Sequence, residues 1–229
     1  MDLTPVLDGS IESPVPTMFT RTDGVSLLYP GLTHSFHGES ESGKSLIVQA
    51  EVARLLAAGE WVLYINFESD AASVVGRLRD FGVDPEVIRE RLVYLRPEVD
   101  PRCFAHELAH WHHHLTRRYA LAVLDGVTDG LTIFGYQSKD NDGIAAWMRA
   151  VPRNIAARTG AAVALVDHVT KDADSRGRFA IGGQAKMAGL DGAADQRGCR
   201  PAGTGSCSIR SRPRSDRPSC ARPGRPTAN

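Results

Sequence analysis

Eight consecutive residues, Gly38-Glu39-Ser40-Glu41-Ser42-Gly43-Lys44-Ser45, satisfy the spacing G-x-x-x-x-G-K-[ST]. The two glycines let the backbone fold closely enough for successive N–H groups to face phosphate oxygens. A helix starting at the lysine would turn its positive end toward the same anion. Lys44 would then bridge the terminal phosphates of a nucleoside triphosphate, and the Ser45 hydroxyl would ligate Mg²⁺. A solvated glycine turn can carry the same letters, so the motif is tested by its context: a strand before it and a helix after it.

Two acids could complete such a site. Asp125 ends the apolar run YALAVL at 119–124, where a carboxylate can reach the metal through water; the other reading is a cap after a strand. Gly126 follows, so this strand supplies no adjacent glutamate to activate water. Glu68 is the substitute, two residues after Asn66 at the end of WVLYINF, where a carboxylate could orient and deprotonate the attacking water. Its other reading is an acid favoured by the dipole at a helix start.

Strand and helix signals alternate around these residues, the pattern of an α/β fold with a mostly parallel sheet covered by helices. Strands are expected at 32–37, 61–67, 92–95, 119–124 and 161–166. Helices are expected at 44–58, closed by Gly59, and at 71–80, 103–118 and 142–159, the last kinked by Pro152. Residues 1–28 read as an irregular lead-in, and no internal repeat is visible.

The whole chain has 229 residues, enough for one domain of ordinary size. With 42% apolar and 24% charged residues it is neither collagen-like nor fully disordered. No apolar run approaches the roughly 20 residues of a membrane span. The start MDLTPVLDGSIESPVP lacks the basic and apolar regions of a signal peptide, so a cytoplasmic protein is expected. The four cysteines, at 103, 199, 207 and 220, match no metal-ligand spacing. The zero net charge hides a split: residues 196–229 hold eight Arg and one acid, Asp216, with Ile209 the one large aliphatic side chain. Such a segment is expected to be a disordered basic tail after a folded unit at 1–195.

His106-Glu107-Leu108-Ala109-His110 satisfies the metalloprotease pattern H-E-x-x-H. No third ligand stands at matching spacing, so a solvated, His-rich helix face is the preferred reading, with adventitious Zn²⁺ or Ni²⁺ binding through His112, His113 and His114.

Taken in order, GESESGKS, INFES, VLDGVTD and VDHVTK resemble the RecA-like P-loop ATPases, in particular the AAA-domain branch related to the hexameric RepA and DnaB replicative helicases, over about residues 17–195. The resemblance implies a twisted sheet of core order 5-1-4-3-2 with helices on both faces. It implies Mg-dependent ATP binding and hydrolysis coupled to single-stranded DNA, and a homo-hexamer in the intact family form. Carried onto this chain, the phosphate loop is Gly38, Glu39, Ser40, Glu41, Ser42, Gly43, Lys44 and Ser45. Ser45 and Asp125 hold the metal, Glu68 prepares water, and His168 reads the γ-phosphate. A histidine at a strand end is also a common structural hydrogen-bonding residue. Tyr29, in the Tyr29-Pro30-Gly31 turn, either stacks on adenine or simply aims the first strand.

The resemblance breaks at its end. The family pattern calls for an apolar fifth strand after Asp191-Gly192-Ala193-Ala194, but Asp195-Gln196-Arg197-Gly198-Cys199-Arg200-Pro201 follows, so that strand is expected to be missing. Arg without Lys, among Pro, Gly, Ser and Cys, is what a GC-rich coding strand gives out of frame, and a frameshift or truncation near residue 195 is expected. A true basic arm binding nucleic acid by counterion release is the other reading. Lys171, Arg176, Arg178 and Lys186 are basic, but none is assignable as the residue that completes a neighbour's site. Without a fifth strand, an ATP-binding regulatory module or an inactive relic is the alternative to a motor, and the edge of the first strand would stand unpaired.

Overall fold

A computed structural model of the chain describes residues 3–10, 14–39, 41–168, 190–192 and 194–197. Its strands are β1 (Thr33–Gly38), β2 (Val62–Asn66), β3 (Leu92–Leu95), β4 (Leu121–Asp125), β5 (Ala162–His168) and β6 (Ala194–Arg197). The helices are α1 (Thr4–Leu7), α2 (Lys44–Ala57), α3 (Ala71–Asp80), α4 (Pro85–Arg91), α5 (Ala105–His114), α6 (Val127–Ile133), α7 (Asn141–Ala150) and α8 (Pro152–Thr159). All strand pairs are parallel, in the order β3-β2-β4-β5-β1-β6. Counting β1, β2, β4, β5 and β6 as core strands one to five gives 5-1-4-3-2, with β3 added beyond the second.

Alternation along the strands divides the core in two. Val62, Tyr64, Leu121, Val123, Ala162 and Ala164 face one side, where they meet Val48, Val52 and Leu56 of α2 and Leu78 of α3. Leu63, Ile65, Ala122, Leu124, Val163 and Leu165 face the other, against Leu131 of α6, Ile144 and Trp147 of α7 and Ile155 of α8. Burial on both faces is why β4 and β5 read as continuous apolar runs, and why helices must cover both. No helix among the described residues is long and apolar enough to cross a membrane.

β1 is buried throughout although four of its six residues, Thr33, His34, Ser35 and His37, are polar. The His34 ring nitrogen Nε2 lies 3.1 Å from both the backbone N and O of Tyr29, and burial pulls its pKa below the ordinary imidazole value. Tyr29 in turn stacks on the His34 ring, which supports the reading of this turn as one that aims the strand.

The fifth strand requires a correction: it is present. β6 lies beside β1 in register Ser35↔Ala194 to Gly38↔Arg197, and it crosses the boundary expected at residue 195. Pairing at a sheet edge is made by backbone groups, which ADQR offers as well as an apolar run does. Docking is prepared just upstream. Asp191 Oδ1 accepts the Thr33 backbone N–H at 2.7 Å and also the Thr33 hydroxyl, and Gly192 N–H donates to Thr33 O at 2.9 Å. A Cβ on Gly192 would stand 2.2 Å from Cε1 of His34, so only glycine lets the chain pass. Residues 198–229 lie outside the described residues.

Other expectations shift for local reasons. The helix expected at 142–159 is two helices: Val151 leaves helical geometry at φ −114, ψ −77, and Pro152 opens α8, where its missing N–H costs nothing. The helix expected at 103–118 shortens to α5 after a 3₁₀ turn at Pro101–Cys103. α4 was not anticipated, although Asp84 caps it by accepting from Glu86 N and Pro85 opens it.

Asp191→Ala removes the acceptor for two donors of the buried Thr33. It should lower unfolding free energy by about 1–3 kcal/mol in a denaturant titration; a loss within a few tenths would show that the segment before β6 does not secure the strand.

Candidate active site

The chain leaves β1 at Gly38 and enters α2 at Lys44, so the motif sits between strand and helix as its context requires. Gly43 precedes the helix at φ 79, and Glu41 takes φ 60, a left-handed conformation that costs a non-glycine residue about 1–2 kcal/mol. Gly38, Glu39, Glu41, Ser42 and Gly43 form the described loop; Ser40 lies outside the described residues. Lys44 is 3% exposed and folds back over the loop. Its Nζ donates to Gly38 O at 3.0 Å, Glu39 O at 2.6 Å and Ser42 Oγ at 3.3 Å. Burial pulls the ammonium below its ordinary pKa, and the carboxylates of Asp167, Asp125 and Glu68 oppose that shift.

Asp125 closes β4 and is 6% exposed. Its Oδ1 accepts from Ser45 Oγ at 3.2 Å and its Oδ2 from the Tyr64 hydroxyl at 2.7 Å. Two oxygens in adjacent positions of an octahedral Mg²⁺ shell, each about 2.0–2.1 Å from the ion, stand about 3 Å apart. The Ser45 and Asp125 oxygens have that separation and are hard donors, so the pair fits magnesium. Among the described residues no group of three or more His, Cys, Asp or Glu could hold a metal. Magnesium does not need one, because it keeps several waters and takes phosphate oxygens from its substrate.

Glu68 reaches the same cleft from the end of β2. Asn66 folds the chain there: its Oδ1 accepts the N–H of Glu68 at 3.0 Å and of Ser69 at 2.8 Å. Gly126, at φ 83, passes so close that a Cβ would meet the Glu68 Cβ at 3.0 Å. Lys44, Ser45, Asn66, Glu68, Arg77 and Asp125 line one cleft of about 320 Å³. It opens at the carboxyl ends of parallel strands, where ligands bind in open α/β sheets. His168 ends β5 opposite Gly38 in register, and its side chain lies outside the described residues, as do Lys171, Arg176, Arg178 and Lys186.

The structure adds polar groups that the sequence reading missed. Tyr64 of β2 accepts from Gln49 Nε2 of α2 at 3.0 Å, and Gln49 Oε1 accepts from Arg77 NH1 of α3 at 3.3 Å. Burial, then the neighbouring Asp125 charge, pushes the Tyr64 phenol well above its ordinary pKa, which keeps its proton in place as a donor. Asp167, 2% exposed, accepts from Thr128 Oγ1 of α6 at 3.0 Å. A signal existed for Gln49 alone, a polar residue next to Val48 on an otherwise buried helix face. By contrast, His110 and His114 of α5 meet each other, Nε2 to Nε2 at 3.1 Å, His114 also meets the His113 ring, and they lie outside this cleft.

Comparison with known proteins follows the same line. A family profile described as an AAA domain matches residues 5–174. Among solved structures, a KaiC-like protein from the hyperthermophilic archaeon Pyrococcus horikoshii OT3 is similar, with a TM-score of 0.54 and 14% identity over 82% of this chain and 80% of that one. At that identity the likeness is one of fold. No curated protein matches.

Gly126→Ala places a side chain at a left-handed φ and against Glu68. Unfolding free energy should fall by about 1–2 kcal/mol, read by chemical denaturation; an unchanged value would show that the turn yields freely and does not fix Glu68.

Proposed function

The chain belongs to the AAA domain family, and on that premise we propose that its cleft binds Mg-ATP and hydrolyses the terminal phosphate, driving movement on single-stranded DNA in an assembled, hexameric form. The observation that carries this reading is the convergence of Lys44, Ser45, Glu68 and Asp125, from three separate stretches of strand end and helix start, on one cleft.

Phosphoryl transfer needs positioning and charge more than covalent help from the protein. The loop amides and the start of α2 cradle the phosphates. Lys44 exchanges the carbonyls of Gly38 and Glu39 for phosphate oxygens, trading neutral acceptors for charged ones. Ser45 and Asp125 would hold the metal, which when bound offsets charge on the phosphate oxygens. Glu68 takes a proton from water as its oxygen bonds the γ-phosphorus, the bond to the β-phosphate oxygen breaks, and ADP and phosphate leave. His168 would report the γ-phosphate from the end of β5. The motor assignment rests on the resemblance to RepA- and DnaB-type proteins.

Lys44→Ala should abolish turnover and weaken nucleotide binding at least tenfold with the fold kept, measured by phosphate release and a fluorescent nucleotide titration; normal turnover would remove the phosphate assignment. Glu68→Gln keeps the shape and loses the base, so turnover should fall by about 10²–10⁴ while ATP still binds. Wild-type turnover in Glu68→Gln would place the base elsewhere. Binding without any turnover in the wild type would favour a regulatory module, and turnover indifferent to single-stranded DNA would remove the motor.

A further inference from the structure

Asp125 is the one carboxylate that the proposed site offers to magnesium, and a carboxylate held by one oxygen can swing about its terminal torsion. We propose that Tyr64, held by Gln49, is the positioning residue that fixes Asp125 for the metal; the inference rests on the reading of the cleft given above.

Donor and acceptor chemistry sets the direction of this chain. The Arg77 guanidinium can only donate, so the oxygen of the Gln49 amide faces it and the amide nitrogen faces Tyr64. An amide N–H donating to the phenol leaves the phenol proton for Asp125, whose ionised carboxylate can only accept. Every proton along Arg77, Gln49, Tyr64 and Asp125 therefore points toward the metal ligand. Ser45 donates to the other oxygen, but its hydroxyl is itself a metal donor. Tyr64, which is no metal donor in this reading, can stay on Asp125 whether or not the metal is bound.

The phenol is built to hold that place. Tyr64 is fully buried, its ring stacks on Tyr94 with centroids 6.0 Å apart, and Gln49 anchors its hydroxyl from the helix that carries Ser45 one turn earlier. Side chains that orient a metal ligand in this way typically change metal affinity 10- to 100-fold when removed.

The test is Tyr64→Phe in the full chain, which keeps the ring and deletes only the hydroxyl. Binding of a fluorescent ATP analogue is measured in EDTA and across a Mg²⁺ titration, with wild type and Lys44→Ala alongside. The expected result is metal-free affinity within twofold of wild type and a Mg²⁺ midpoint raised about tenfold or more. A purely structural tyrosine would change the melting temperature and leave that midpoint where it was. An unchanged midpoint in folded Tyr64→Phe overturns the assignment. If that variant does not fold, Gln49→Leu carries the test, since it removes the anchor of the phenol and leaves Tyr64 and Asp125 in place: a raised midpoint supports the proposal and an unchanged one overturns it. Wild type and Lys44→Ala binding the analogue equally would instead sink the phosphate-site reading.

Discussion

A lysine ammonium taken almost wholly out of water is unfavourable unless something replaces its hydration. Lys44 meets this constraint with two backbone carbonyls and a hydroxyl at hydrogen-bond distance, and with the negative charge of Asp167, Asp125 and Glu68 around it. Those three acids come from the ends of β5 and β4 and from the turn after β2. The order of the parallel sheet is thus a requirement of the charge: β1 must neighbour β5, and β5 must neighbour β4, for the acids to gather over one loop. The same gathering prepares the site for a triphosphate. An anion entering the cleft meets Lys44 and Arg77 but also Glu41, Glu68 and Asp125, so the cations and the loop amides must together outweigh the repulsion.

Residues whose role is local were legible in the sequence. The glycine, lysine and serine spacing defined the loop, and the apolar runs ending at Asp125 and before Glu68 placed both acids at strand ends. What stayed hidden depends on partners distant in the chain. WVLYINF reads as an apolar run, and nothing in it says that the Tyr64 hydroxyl meets a carboxylate 61 positions later. The segment ADQR carries no strand signal because its pairing with β1 uses the backbone, and the residues that dock it, Asp191 and Gly192, act on Thr33 and His34, far earlier in the chain. α6 escaped notice for a related reason: it is seven residues long, and its fit depends on Gly130, where a Cβ would come within 2.9 Å of the Phe67 ring.

The glycines show how closely the site and the scaffold are joined. Gly126 sets the distance between the β4 turn and Glu68, Gly43 turns the loop into α2, and Gly192 passes the His34 ring at a separation no side chain allows. Gly126 and Gly192 are places of close approach, to Glu68 and to the His34 ring, while Gly43 is needed for its left-handed φ alone. Gly43 and Gly126 lie at the carboxyl ends of the strands, where the cleft opens, whereas Gly192 lies at the opposite, amino end of the sheet beside Thr33 and His34.

Register ties the position of Asp125 to the core itself. Asn66 stands opposite Asp125, so Tyr64, two residues back on the same face of β2, reaches Asp125 diagonally across the strand pair. A slip of one residue would turn Tyr64 to the opposite face and bring Leu63 and Ile65 into its place, because the side-chain period of a strand is two. That slip would also exchange the two halves of the core, where Val62 and Tyr64 now pack toward α2 and Leu63 and Ile65 toward α6 and α7. The hydrophobic sorting of β2 therefore places the Tyr64 hydroxyl beside Asp125 as a by-product of core packing. A carboxylate placed by core packing in this way is set by the same register that sorts the two halves of the core.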